Sequence, residues 1–422
     1  MSTITSPGEG DDALEPGHRR WALLGGNVAA LGTVSLITDV SSEMVTAVLP
    51  LYLMAGLHLS PAAYGIIDGL YGGATVLMRL GGGYISDRLQ RRKTIAGFGY
   101  GLSAAAKIGL LAAGSSPFTI GLVITADRAG KGLRSAPRDA LISLSSPPEQ
   151  LGRAFGLHRA MDAVGAFAGP LVALAVLAVA GQAYDAVFVT SFCVALLGVL
   201  VLILFVRDYR VPKEPSKRLT AGAAVGLLRD GPVRRLVLTA VLLGLATIGD
   251  GFVFLLLQER EGITLGWFPL LAVGTSLAYL LLAAPMGALA DRIGRLPVML
   301  GGYGALGSTY LLLYGPLSGM PLAVTVVALY GLFYAATDGV LMALVGPTLP
   351  ERLRATGMAL VQSGQAVAYL GSSVLFGLAW QSWGPQAASR FGALAVLLAM
   401  GATALLLSVG TARSSTDSVE RL

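Results

Sequence analysis

The sequence predicts an all-α integral membrane protein with twelve transmembrane helices arranged as two related six-helix bundles. Three observations carry that expectation. Of 422 residues, 54% are hydrophobic and only 13% charged, and the mean hydropathy is +0.70. Soluble domains carry about a quarter charged residues, so this chain cannot face water over most of its surface. Apolar stretches near the roughly 20 residues needed to cross a hydrocarbon core recur along the chain. Finally, one short charged pattern recurs at the same place in each half.

In chain order, residues 1–20 are polar with Gly and Pro, and read as a disordered cytoplasmic tail. The first apolar run starts near Trp21 and is too long for a signal peptide, so it reads as a retained helix. Spans at 21–54, 62–86, 94–113, 118–143, 153–181 and 186–206 form an N-terminal bundle over 21–206. The basic segment 207–234, with Pro212 and Pro215, reads as a cytoplasmic linker. Spans at 235–258, 267–290, 297–315, 321–346, 355–379 and 391–410 form a C-terminal bundle over 235–412, followed by a tail at 413–422. Pro50, Pro137, Pro170 and the 56 glycines fit membrane helices, where neighbours satisfy freed backbone groups and Gly allows close approach.

Loop charge sets the expected orientation. Alternate loops hold Arg88, Arg91, Arg92 and Lys93; Arg153; Arg207, Arg210, Lys213, Lys217 and Arg218; Arg292 and Arg295; Arg352 and Arg354. The loops between them are nearly free of Lys and Arg, with Arg260 and Arg390 as exceptions. The positive-inside rule then puts both termini in the cytoplasm of a multi-pass cytoplasmic (inner) membrane protein. The net charge of +6 is thus topological and does not point to nucleic acid. Cys193 is alone, which excludes a disulfide within the chain. Three scattered histidines, and no HExxH, GxSxG or Walker-type loop, argue against a metal site, an enzyme or an ATP-driven pump. No cofactor is expected, and a monomer is.

The halves repeat in sequence. Gly83-Tyr-Ile-Ser-Asp87-Arg88-Leu-Gln-Arg91 after the second span corresponds to Gly287-Ala-Leu-Ala-Asp291-Arg292-Ile-Gly-Arg295 after the eighth. Ala140-Leu-Ile and Pro148-Glu149 correspond to Ala343-Leu-Val and Pro350-Glu351 at almost the same separation. Parallel repeats of this kind put a binding site at the interface of the halves, near the midplane.

These residues resemble the major facilitator superfamily over about 21–410. Gly83-x3-Asp87-Arg88-x2-Arg91-Arg92 is similar to its motif A, with Gln90 where Gly is usual and Gly294 restoring it in the second copy. Arg128-x2-Lys131-Gly132-x3-Ala136 is similar to motif B. Gly156-x8-Gly165-x3-Gly169-Pro170 is similar to motif C, which is associated with antiporters, with Ala173 in place of its last glycine. The runs Asp39-Val-Ser-Ser-Glu43-Met44 and Lys131-Gly-Leu-Arg134-Ser-Ala-Pro-Arg138-Asp139 look like a bacterial subgroup that includes proteins of siderophore or iron traffic. The resemblance implies solute transport by alternating access. For motif A it implies a latch between rocking states, against the alternative of a topogenic basic cluster.

A charge at a helix centre costs roughly 2.5–3.5 kcal/mol on insertion scales, so it must face a cavity or a partner. Asp39 and Glu43 lie one turn apart in the first span. Asp68 and Arg79 share a face of the second, and Lys107 lies mid-membrane in the third. Asp127, Lys131, Arg134 and Arg138 form a stripe on the fourth beside Arg128, and Asp162 enters the fifth. Arg134, Arg138, Asp139, His158 and Arg159 are cavity-facing or interfacial. The second half offers chiefly Asp250, Asp338, Gln362 and Gln365, and Ala283 stands where the repeat aligns Arg79. Chemistry is therefore expected in the first half, with Asp250 and Asp338 completing the site, although Asp338 also suits a structural hydrogen bond. Asp39 and Glu43 are candidate proton carriers with Arg128 as counter-charge. Proton-coupled efflux of a small organic solute leads. Transport of an iron chelate or other organic anion competes with it, and a non-transporting receptor or assembly factor is a remote third.

Overall fold

The computed structural model describes residues 26–89, 91–147, 150–208, 226–338, 340–345, 348–349 and 354–419, which are almost wholly helical and contain no strand. The helices are α1 (Gly26–Leu51, extended by a π turn at Tyr52–Gly56), α2 (Pro61–Leu89), α3 (Arg92–Ala112), α4 (Pro117–Leu144), α5 (Leu151–Val179) and α6 (Tyr184–Phe205). The second half holds α7 (Gly231–Ala246), α8 (Asp250–Glu261), α9 (Pro269–Ile293), α10 (Arg295–Leu312), α11 (Gly319–Thr337), α12 (Val340–Val345) and α13 (Arg354–Val419). The tail at 1–20, residues 21–25, the linker over 209–225 and the Pro148-Glu149 and Pro350-Glu351 pair lie outside the described residues.

Local chemistry sets several boundaries. Pro117 opens α4 behind Ser116, whose side chain accepts from the Thr119 N–H. Asp230 and Pro232 start α7 at Gly231, inside the segment expected as linker. Gly262, at φ 65°, ends α8. Gly384, at φ 83°, followed by Pro385, bends α13 into two arms. The second arm runs to Val419, past the expected end at 412.

Among the described residues, eight stretches are long and apolar enough to cross a membrane. The helices α2 and α4 fall outside that group although they are as long as the others, because Asp68, Arg79 and the α4 charges lower their hydropathy. Leu196, Leu197, Leu200, Ile203 and Leu204 of α6 are exposed, an apolar belt suited to lipid rather than water. Two expected single spans are instead broken. The seventh is α7 and α8, interrupted at Thr247–Gly249, and the tenth is α11 and α12, interrupted at Asp338.

Packing repeats as the sequence does. In the first half α2 packs on α4, α1 on α5 and α6, and α3 on α4 and α6. In the second half α9 packs on α11, α7 on α13, and α10 on α11 and α13. The halves meet along α2 with α13 and, less extensively, α5 with α9. The α2–α13 seam is a close backbone approach. A Cβ on Gly65 would lie 2.3 Å from the Ser373 carbonyl oxygen, and one on Gly377 would lie 2.3 Å from that of Pro61.

Arg260, an exception to the loop-charge pattern, has a structural task. Its guanidinium donates to the carbonyls of Leu312 (2.9 Å), Leu313, Gly315 (2.8 Å) and Leu317 (2.5 Å), closing the C-terminus of α10, and it pairs with Glu261 at 3.3 Å. A cation here complements both the orphan carbonyls and the negative end of the helix. Arg260→Ala should lower stability by about 2 kcal/mol, read as a drop in melting temperature of the purified protein. A melting temperature unchanged by the substitution would refute the capping role.

Candidate functional site

A central cavity lies between the halves. Its inner chamber, ≈ 330 Å³, is lined by Glu43, Thr46, Tyr64, Asp68, Tyr71, Arg128, Lys131, Asp250, Tyr334 and Tyr369. It shares Gly72, Tyr334 and Tyr369 with an outer chamber of ≈ 600 Å³ that reaches Arg79, Asp338, Gln362 and Gln365. The glycine seam closes the end where α2 begins. The outer chamber opens toward the other end of α2, where the Arg79 side chain is 52% exposed.

The first-half wall begins with α1 and α4. Lys131 Nζ lies 3.9 Å from Asp39 and 3.8 Å from Glu43, and Arg134 lies 3.8 Å from Asp39. The motif C glycines hold this carboxylate turn in place. A Cβ on Gly165 would lie 2.6 Å from the Leu36 carbonyl oxygen and 3.1 Å from Asp39 Cβ, and one on Gly169 would lie 2.6 Å from Glu43 Cβ. Only α5 backbone fits there, so α1 is seated where its two acids face Lys131. Pro170 is buried on the same face, whereas Gly156 has open space around it. Asp162 lies 3.4 Å from the buried His158 ring.

Behind this wall is a second cluster. Asp127 accepts from Ser103 Oγ (2.5 Å), Lys107 Nζ (3.2 Å), Arg128 Nε (2.8 Å) and the Arg128 terminal nitrogen. The Arg128 guanidinium lies 4.0 Å over the Tyr71 ring, whose hydroxyl meets Thr46 at 2.6 Å. The direct partner of Arg128 is therefore Asp127, and the cations touching Asp39 and Glu43 are Lys131 and Arg134. Arg128, the counter-charge that the resemblance to motif B implies, stands beside the stripe rather than on it. The stripe turns Lys131 toward α1 and leaves Arg128 facing α2.

The second-half wall is built on the α7–α8 break. Three side chains satisfy the backbone it frees: the Ile248 N–H donates to Tyr310 Oη (2.9 Å), Tyr330 Oη donates to the Ile248 carbonyl (2.7 Å), and Ser372 Oγ donates to the Thr247 carbonyl (2.7 Å). Irregular backbone at membrane depth persists where it is buried in protein or lines a cavity. Asp250 opens α8, its Oδ1 accepting from the Gly251 N–H at 2.8 Å. Asp68 reaches across from α2 and accepts from Tyr369 Oη (2.9 Å) and Ser373 Oγ (2.6 Å) of α13. Gly249 leaves room for this contact, since a Cβ there would lie 2.3 Å from Tyr369 Oη and 2.8 Å from Asp68 Oδ2.

The remaining candidates are more peripheral. Arg79 lies 3.4 Å from Asp139 near the mouth. Asp338 is exposed at the α11–α12 break and accepts from Tyr279 Oη at 3.1 Å. Of the motif A residues, Gly83 and Asp87 lie on α2 with side chains outside the described residues, while Arg91 precedes α3. Arg88, Asp291 and Arg292 are exposed, Gly287 has open space around it, and Arg295 donates to the Ala343 carbonyl at 2.5 Å. Sequence reasoning missed Tyr71, Tyr334, Tyr369, Ser373 and the Gly65–Gly377 seam. One signal was available, the Gly65-x3-Gly69-x3-Gly73 ladder, a small-xxx-small surface.

The Major Facilitator Superfamily profile matches residues 31–274 and 257–421. The chain belongs to this superfamily. It is accordingly a membrane transporter rather than an enzyme. An uncharacterized MFS-type transporter of Methanocaldococcus jannaschii is 29% identical over 362 residues, covering 84% of this transporter and 88% of that one. An uncharacterized protein of Mycobacterium tuberculosis is 33% identical over 174 residues, 41% of each chain. In fold, the nucleoside transporter NupG superposes with a TM-score of 0.76 at 15% identity, over 90% of this chain and 98% of that one. A POT family transporter in complex with 5-aminolevulinic acid gives 0.73 at 16%, over 91% and 96%.

Proposed function

We propose that this transporter works by alternating access as a proton-coupled exporter of a small organic solute, with twelve crossings, both termini cytoplasmic and motif A as the latch between states. The carrying observation is Lys131, held at 3.9 and 3.8 Å between Asp39 and Glu43 at the cavity wall. A proton on Glu43 leaves no charge bare, because Lys131 then keeps Asp39, which also lies against Arg134. Gly165 and Gly169 tie that turn of α1 to α5, which also packs on α9 of the other half, so the charge state of the turn bears on how the halves rock. With α2 and α13 closed at one end and the cavity open toward the Arg88 end, the positive-inside reading makes this conformation inward-facing.

The geometry favours an organic solute over an iron chelate or other anion. Each base of α4 already has an acid against it: Arg128 has Asp127, Lys131 has Asp39 and Glu43, Arg134 has Asp39, and Arg138 has Asp139. An anion there would have to displace an acid already in place, with Asp127 and Asp139 each shared with a second base, Lys107 and Arg79.

The test is reconstitution in vesicles loaded with a pH-sensitive dye, screening drugs, organic anions and ferric chelates. A solute opposing an imposed proton gradient should move protons in the opposite sense. Asp39→Asn with Glu43→Gln should cut that proton flux at least tenfold while solute binding persists. Proton-driven transport left intact by the double substitution would overturn the assignment.

A further inference from the structure

We propose that the cavity wall at the α7–α8 break is a cation-recognition site, in which Asp250 meets the positive end of a lipophilic organic cation and the rings of Tyr64, Tyr334 and Tyr369 surround it. This deepens the transport reading by naming a solute class, and depends on that reading only for the transport steps after binding.

Charge balance is the first support. The inner chamber presents the acids Glu43, Asp68 and Asp250 against the bases Arg128 and Lys131. Both bases are engaged, Arg128 by Asp127 and Lys131 by Asp39 and Glu43. Among the described residues no Lys or Arg stands within salt-bridge distance of Asp68 or Asp250. Both acids therefore stand on the Gly249 side of the chamber with no base against them. Burying charge without a partner is costly, and a cationic solute supplies that partner.

The wall's composition is the second support. Tyr64, Tyr334 and Tyr369 line the same chamber as Asp250. The Tyr64 ring is held edge-on to Phe252 at 4.7 Å, and Tyr334 is held by Tyr330 at 5.2 Å. A carboxylate beside fixed aromatic faces is the arrangement that recognises ammonium-type and other weakly hydrated cations, since the ring quadrupole attracts charge that water solvates poorly. The two acids then divide their tasks. Asp68 already accepts two hydroxyl bonds from α13, whereas Asp250 is held by the backbone N–H of Gly251 and faces the chamber.

Equilibrium binding of radiolabelled tetraphenylphosphonium to the full chain in lipid nanodiscs tests the site without requiring transport. Tetraphenylborate, matched in size and opposite in charge, is the competitor. Wild type should bind the cation saturably and tetraphenylborate should not displace it. Asp250→Asn should weaken binding at least tenfold, Asp250→Glu less than threefold, and Tyr334→Leu about fivefold. Should Asp250→Asn fail to fold, the wild-type competition and Tyr334→Leu decide. Absence of saturable binding, displacement by tetraphenylborate, displacement by sodium ions at equal ionic strength, or affinity unchanged in Asp250→Asn would each overturn the proposal. Saturable binding without vesicle transport would instead count against the transport mechanism alone.

Discussion

Asp127→Ala should destabilise the transporter by about 3–5 kcal/mol, the range for removing one partner of a buried charge cluster. Lys107 and Arg128 have side chains only 3% and 4% exposed, and both lie against this one carboxylate. Alanine leaves two cations facing each other inside α3 and α4, with Tyr71 over one and the Ser103 carbonyl at 3.0 Å from the other. Neither contact neutralises charge. A cavity of ≈ 10 Å³ beside them, bounded by Val45, Leu110 and Ile124, has room for about one water, which solvates but does not compensate. Thermal unfolding of the purified protein measures the loss. Lys107→Met in the Asp127→Ala background should recover part of it, because one of the two orphaned cations is then gone, and that recovery separates charge from packing. A cost below about 1 kcal/mol for Asp127→Ala would show that the cluster does not hold the bundle together.

The same cluster marks how much the sequence could disclose. Hydropathy discloses the membrane helices, because it is a property of contiguous residues. That Asp39, Glu43, Asp127, Arg128 and Lys131 each need a partner or a cavity was also legible, since charges at helix centres are costly. Which partner each takes was not. Lys131 and Arg128 are three residues apart on one helix, and the rotation of α4 against α1 and α2 decides that Lys131 meets the acids of α1 while Arg128 meets Tyr71. That rotation is set by close contacts such as Gly132, where a Cβ would lie 2.4 Å from the Thr75 carbonyl oxygen. Glycine spacing alone cannot name the opposing residue. The α7–α8 break was hidden for a similar reason. Asp250-Gly251 after Gly249 is a turn signal in a soluble chain. Here the break depends on hydroxyls from Tyr310, Tyr330 and Ser372, far away in sequence. Asp68 likewise finds Tyr369 and Ser373 only once the halves dock.

Gly65→Leu should abolish most transport by denying the protein the state seen here. The α2–α13 seam depends on backbone meeting backbone: a Cβ on Gly65 would lie 2.3 Å from the Ser373 carbonyl oxygen, against 3.4–4 Å for ordinary contact. The oxygen belongs to a helix interior and cannot swing aside, so the helices must part by more than about 1 Å. Overpacking of this kind costs about 1–3 kcal/mol, and the cost falls only on the state in which the seam is shut. Each 1.4 kcal/mol is a tenfold shift in population, so one substitution moves the balance by about 5- to 140-fold toward the state open at this end. Gly377→Val, whose Cβ would lie 2.3 Å from the Pro61 carbonyl oxygen, attacks the seam from the other side. Combined with Gly65→Leu it approaches the roughly 5.5 kcal/mol that inverts a two-state equilibrium. Leu53, wholly buried in the inner chamber, reports the outcome. In a Cys193→Ser background, needed because Cys193 is exposed, Leu53→Cys should be inert to a membrane-impermeant maleimide applied from the Pro61 end. It should become reactive when Gly65→Leu is added. Gly101→Leu, at a glycine with open space around it, should leave labelling unchanged and controls for the bulk of the new side chain. If Leu53→Cys stays protected while Gly65→Leu still stops transport, the seam is a folding contact and not the moving closure of the cavity.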